Sequence, residues 1–202
     1  MIYMTKTNQG GFSLVETLVA ITILLIVITG PMTISSTTAR STSYSSEQVI
    51  AFFLAQEGAE LAQKARDDYV LDYFYNKDNN ITPNPSPWTR FTDVTSAGVY
   101  KNCFATGCGL ELKDVSNIGE LNTVINCTSG CLLYYNNTSS AKRAHYSYIA
   151  GTNEATKYSR VIKMSVVAGG VKVVSTVTWR TGSQRNSQKA EVETFLFNVY
   201  AI

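Results

Sequence analysis

Glu16 is the residue whose position asks first for a chemical explanation. It is the single charged side chain in the twenty-three residues from Phe12 to Ile34, a run that is otherwise apolar or neutral. Eighteen or more such residues suffice to cross the roughly 30 Å hydrocarbon core of a bilayer as a helix. A carboxylate inside such a helix costs about 2.5–3.5 kcal/mol on insertion scales, so it marks function by default. An unpaired acid in low dielectric is expensive, which calls for a cation. The nearest ones in sequence are Lys6 before the run and Arg40 after it.

The other residues that could do chemistry are cysteines. Cys103 and Cys108 form one close pair, Cys127 and Cys131 another, with eighteen residues between them. Outside the cytoplasm such a set favours disulfides, and four cysteines allow three pairings. The rival is a zinc site, although C-x4-C and C-x3-C depart from the usual C-x2-C spacing.

Catalytic constellations are thin. His145 is the only histidine, so His-based metal sites and Ser–His or Cys–His nucleophile pairs all hang on one residue. Gly107-Cys108-Gly109 lacks the third glycine and following helix of a dinucleotide loop, and no Walker, G-x-S-x-G or H-E-x-x-H motif occurs. Asp67, Asp68 and Asp72 could hold a hard cation, but a solvated helix end explains them more simply. Lys142, Arg143, His145, Tyr146 and Tyr148 mix basic and aromatic residues as a single-strand binder would. A chain with twelve tyrosines produces such neighbourhoods by chance, and a net charge of +2 is too small to attract nucleic acid. Asn80-Ile81-Thr82 and Asn137-Thr138-Ser139 match a glycosylation pattern that is frequent by chance. The expectation is a non-enzyme without cofactor or resident metal.

The element that positions Glu16 is the N-terminal apolar run. Before it lie eleven residues with Lys6 as their only charge. A secretory signal places its small-residue cleavage site after the apolar core, whereas Gly10-Gly11 come before it, so a cut there leaves the anchor on the mature protein. Lys6 on the near flank predicts a cytoplasmic N-terminus and an extracytoplasmic C-terminal part.

Gly11-Phe12-Ser13-Leu14-Val15-Glu16 resembles the prepilin cleavage and methylation motif of type IV pilins and type II secretion pseudopilins. The likeness has four parts: a short leader with a basic residue, Gly before the cut, Phe after it, and Glu four residues beyond Phe in an apolar helix. The resemblance implies cleavage between Gly11 and Phe12 by a prepilin peptidase, N-methylation of Phe12, and assembly with other subunits by a platform protein and a cytoplasmic ATPase. It also supplies the missing cation, since cleavage frees an amine on Phe12 that stays positive when methylated. Leu54 to Glu60 further resembles V-type minor pilins and I-type pseudopilins. Pilins commonly carry a proline near this point; Pro31, preceded by Gly30, lies two residues earlier than is usual, and the resemblance implies a segment there that kinks or melts during assembly. The function expected is that of a structural filament subunit, with an accessory or tip subunit that binds DNA or a surface as the alternative.

Beyond the anchor, four segments are expected: a cleaved leader over 1–11, a membrane and assembly helix over 12–34, an amphipathic continuation over 35–75, and an extracytoplasmic domain over 76–202. Met32 to Ser46 is crowded with Ser and Thr, poor interior helix formers, so continuity is least assured there. From Glu47 the helical period returns, with Ile50, Phe53, Leu54, Leu61 and Ala65 as an apolar stripe and Ala51, Ala55, Gly58, Ala59 and Ala62 as a small-residue strip. Glu60 and Lys64 are spaced for an i,i+4 pair. Asn79-Asn80 with Pro83, Pro85 and Pro87 reads as a loop, and residues 88–131 show no period. The last third alternates with period two around Gly169-Gly170 and Gly182, the pattern of an antiparallel meander, and Cys131 to Tyr135 with Tyr146 to Ile149 adds a hairpin. The predicted class is α+β: a long N-terminal helix, its second half laid across a C-terminal antiparallel sheet.

Overall fold

The computed structural model describes residue 11 and residues 13–79, 86–112, 121, 124–128, 130–137, 145–151, 153–182 and 186–199. Its first element, α1, is a single helix, Leu14–Asp78. The chain forms two compact units, Met1–Ser45 and Ser46–Ile202, and α1 contributes to both. It runs through Gly30, Pro31 and the Ser/Thr-rich stretch, so helix is kept where propensity is weakest.

The large apolar side chains of α1 from Leu14 to Ile34 are all exposed, and the segment is long and apolar enough to cross a membrane. The hydroxyls in this stretch satisfy themselves. Thr17 donates to the Leu14 carbonyl, Thr22 to Val19, Thr29 to Ile26 and Thr33 to Gly30, at 2.8–3.2 Å. A hydroxyl bonded back to its own helix no longer needs water, which lets threonine sit in an apolar medium.

The second unit is built on β5 (Glu154–Val167). One edge of β5 pairs antiparallel with β6 (Gly170–Trp179), and β7 (Gln188–Phe197) pairs with β6 along its whole length. The other edge takes β3 (Leu132–Asn136) near its start and β1 (Cys108–Gly109) at Ile162. β4 (His145–Ser147) extends β3, and β2 (Ile125–Asn126) extends β1. The meander is therefore the predicted one, turning at Ala168-Gly169 with Gly169 at φ +79°. The hairpin of β3 and β4 is present within a residue or two of its expected limits.

The inward face is the one the alternation picked out. Tyr158, Arg160, Ile162 and Met164 of β5 and Val171, Val173, Ser175, Val177 and Trp179 of β6 are buried. Val166 shares their parity but lies at the strand end and is exposed. With Leu61, Ala62 and Ala65 of α1, Ile162, Met164, Val171, Val173 and Leu196 form one core, each large aliphatic contributing about 1.5–3 kcal/mol.

Some details differ from expectation and others fill in what the sequence left open. Ile50 is only half-buried and Phe53 is 63% exposed, whereas Ala51, Ala55, Gly58, Ala59 and Ala62 are buried. The small-residue strip faces the sheet because the helix approaches too closely for a large side chain. Lys64 pairs with Asp68 at 2.6 Å, leaving Glu60 to accept from Gln56 at 3.0 Å. Residues 80–85, including Pro83 and Pro85, lie outside the described residues, while Pro87 opens a short helix, α2 (Pro87–Phe91), where its missing N–H costs nothing. The region without period contains α2, α3 (Lys101–Phe104), β1 and β2, each too short to leave a periodic trace.

Candidate assembly segment and the docked half of the helix

Gly11 lies exposed just before α1, and Phe12 lies outside the described residues. Glu16 stands in the first turn, where its backbone N–H bonds to the Ser13 carbonyl at 2.9 Å. A carboxylate there opposes the partial positive charge of the helix N-terminus. Among the described residues no cation pairs with Glu16. Gly30 and Pro31 lie in the interior of α1, and Pro31 leaves the Val27 carbonyl without its usual helical donor.

The cysteines pair locally, Cys103 with Cys108 and Cys127 with Cys131, with Cα–Cα distances of 4.6 and 5.2 Å. That choice among three pairings was not readable from spacing, and it removes the four sulfurs from any zinc site. The disulfides lie side by side, since the Cys127 N–H donates to the Gly107 carbonyl. The three aspartates do not converge on a cation. Asp67 pairs with Arg66, Asp68 with Lys64 and Asp72 with Arg90. Of the basic and aromatic group, Lys142 and Arg143 lie outside the described residues, Tyr146 packs at a tilt against Tyr135 with ring centroids 5.4 Å apart, and Tyr148 is spoken for within the fold.

What the sequence did not single out is the set of contacts that holds the second half of α1. Arg160 is fully buried at the centre of the inward face. Its Nη1 donates to the Leu54 carbonyl of α1 at 3.2 Å and to Glu57 at 2.6 Å, its Nη2 to the Leu110 carbonyl at 2.9 Å, and its Nε to the Tyr148 hydroxyl at 2.8 Å. Tyr148 is fixed in turn: its N–H donates to Glu111 at 2.6 Å, and its ring rests where a side chain on Gly109 would stand. Burial pushes the Tyr148 phenol up, with the nearby Arg160 cation working against it. Burial opposes the charge on Arg160, but Tyr148 and Glu57 more than compensate and hold its pKa above the usual value. Gly58 completes the arrangement, because a Cβ there would collide with the Ser175 hydroxyl and crowd Arg160.

A second tie lies nearer the N-terminus of this unit. Glu47 accepts from Lys157 and from the Thr181 hydroxyl, the latter at 2.6 Å, while the Tyr158 hydroxyl donates to the Glu47 carbonyl at 3.4 Å. Burial works against the Glu47 carboxylate, but Lys157 and Thr181 hold it below its ordinary range. Burial beside Glu47 pushes Tyr158 up to about 12. An Arg on the inward parity of an otherwise apolar strand was the available signal for Arg160. Nothing in the local pattern marks Glu47.

The first thirty residues carry a recognised signature. Residues 6–30 match the family model described as the prokaryotic N-terminal methylation motif. Neither the search of curated proteins nor that of solved structures returned a match. A prepilin-type motif on a long apolar helix, followed by an antiparallel sheet, is the layout of a type IV pilin-like fold. The motif supports a pilin-like or pseudopilin-like subunit, a membrane-anchored structural protein that assembles with others of its kind.

Proposed function

We propose that this chain is a minor pilin or type II secretion pseudopilin, cut between Gly11 and Phe12 by a prepilin peptidase and N-methylated on Phe12. The observation that carries the proposal is Glu16, the only charge in the apolar part of α1, five positions beyond Gly11 within the matched motif. The subunit waits in the bilayer with its N-terminus in the cytoplasm and its domain outside, until a platform protein and an ATPase draw it into a filament at the surface or in the periplasm. Glu16 then pairs with the methylated amine of a neighbour's Phe12. In low dielectric an unpaired partner is costly, so the pair selects the correct stagger. Gly30-Pro31 is where α1 bends as it enters the fibre. In the alternative, an accessory or tip subunit that binds DNA or a surface, Tyr148 would not be available as a stacking residue, since its hydroxyl is committed to Arg160.

The direct test is the mature N-terminus. Mass spectrometry of protein from membranes should show a chain beginning at Phe12 and carrying one methyl group, and the uncut chain when the peptidase is absent. A mature chain still bearing residues 1–11 would overturn the proposal.

A further inference from the structure

Glu47 is the first residue of α1, among the described residues, with a side-chain tie to the sheet. Its carboxylate is held by Lys157 and Thr181, its carbonyl by Tyr158, and its side chain is 13% exposed. The border between the two compact units falls one residue earlier, at Ser45–Ser46. Immediately upstream, ten of the fourteen residues from Thr33 to Ser46 are Ser or Thr. Both residue types are poor interior helix formers, so that stretch is a weaker helix than an alanine run of the same length. Their hydroxyls are also ready to take over backbone groups when the helix opens, as Ser36, Thr37 and Thr42 already do with carbonyls one turn back.

We propose that the Glu47 clamp is a helix stop: it sets the point beyond which opening of α1 does not propagate. Unwinding residues 33–46 breaks none of these ties, whereas unwinding past Glu47 must first break those to Lys157, Thr181 and Tyr158. Fully extended, those fourteen residues would lengthen the connection by about 25 Å. A pull on the anchor is therefore absorbed before it reaches the core. If the clamp is removed, the next hold is Arg160 on the Leu54 carbonyl and Glu57, about two turns further on. The inference does not depend on the filament the chain enters.

Hydrogen exchange on the full-length protein in detergent micelles tests it. Peptides from residues 33–45 should exchange at least about tenfold faster than those from residues 47–62, with the step at the clamp. In Glu47→Ala the step should move to Leu54, so that residues 47–53 join the fast class. Alanine is the better helix former, so that loss can only come from the missing tie. Lys157→Met should produce the same shift while leaving α1 unaltered in sequence. Wild-type protein without a step at residues 46–47, or variants in which residues 47–53 stay as slow as before, would overturn the proposal.

Discussion

The two halves of α1 obey different rules. From Leu14 to Ile34 the large apolar side chains are exposed, and the threonine hydroxyls are satisfied within the helix itself. From Ala51 to Ala65 the buried side chains are mostly small, and the polar atoms of the helix are met by the sheet, above all by Arg160. The first half leaves its apolar surface exposed. The second has used its surface on its own fold. Sequence hydrophobicity is higher in the half that buries nothing, so burial here follows shape and hydrogen bonding more than apolar content.

Arg160→Met should sharpen that contrast most. It leaves the Leu110 carbonyl and the Tyr148 hydroxyl without a buried donor, for a loss of about 3 kcal/mol. Both tryptophans, Trp88 and Trp179, lie in the second unit, so denaturation of full-length protein in micelles can be followed by their fluorescence. The midpoint should fall well below wild type while helix signal from the anchor persists. An unchanged midpoint would mean that the second half is held by apolar contact alone.

Gly58→Ala comes next. The methyl gains about 1 kcal/mol of helix propensity but strikes the Ser175 hydroxyl and crowds Arg160, for a net loss of about 1 kcal/mol. In a Ser175→Ala background most of that cost should disappear, and equal costs in both backgrounds would break the close-approach argument. Gly30→Ala, with open space around it, should cost the fold nothing.

The smallest effect is acid sensitivity. Glu47 has a folded pKa below its ordinary 4.5, so its ties contribute fully above that value and are lost as pH falls through the lowered one. The denaturation midpoint should drop as pH falls below 4.5, and drop less in Glu47→Ala. The same drop in both proteins would show that the acid-sensitive group lies elsewhere.

Much of this was legible in the chain. Period two in residues 161–180 placed Ile162, Val171, Val173 and Val177 on the correct face, because a sheet with one buried side imposes its parity on every residue. The prepilin-type motif located the anchor, since a carboxylate in an apolar run has few explanations. Which stripe of α1 faces the sheet was legible in part: Leu54, Leu61, Ala65 and the small-residue strip are buried, whereas Ile50 and Phe53 are displaced from the interface by the close approach over Ser175. Cysteine pairing could not be read because spacing permits every option. Arg160 was passed over because charged residues are expected outside, and its four acceptors come from elements distant in sequence.

The central claim is that Glu16 serves assembly and nothing in the fold. Glu16→Ala, expressed beside wild-type partners, should be cut after Gly11 at a normal rate, remain in the membrane fraction with an unchanged denaturation midpoint, and be absent from sheared filaments. Glu16→Ala recovered in filaments at the wild-type level would contradict the account.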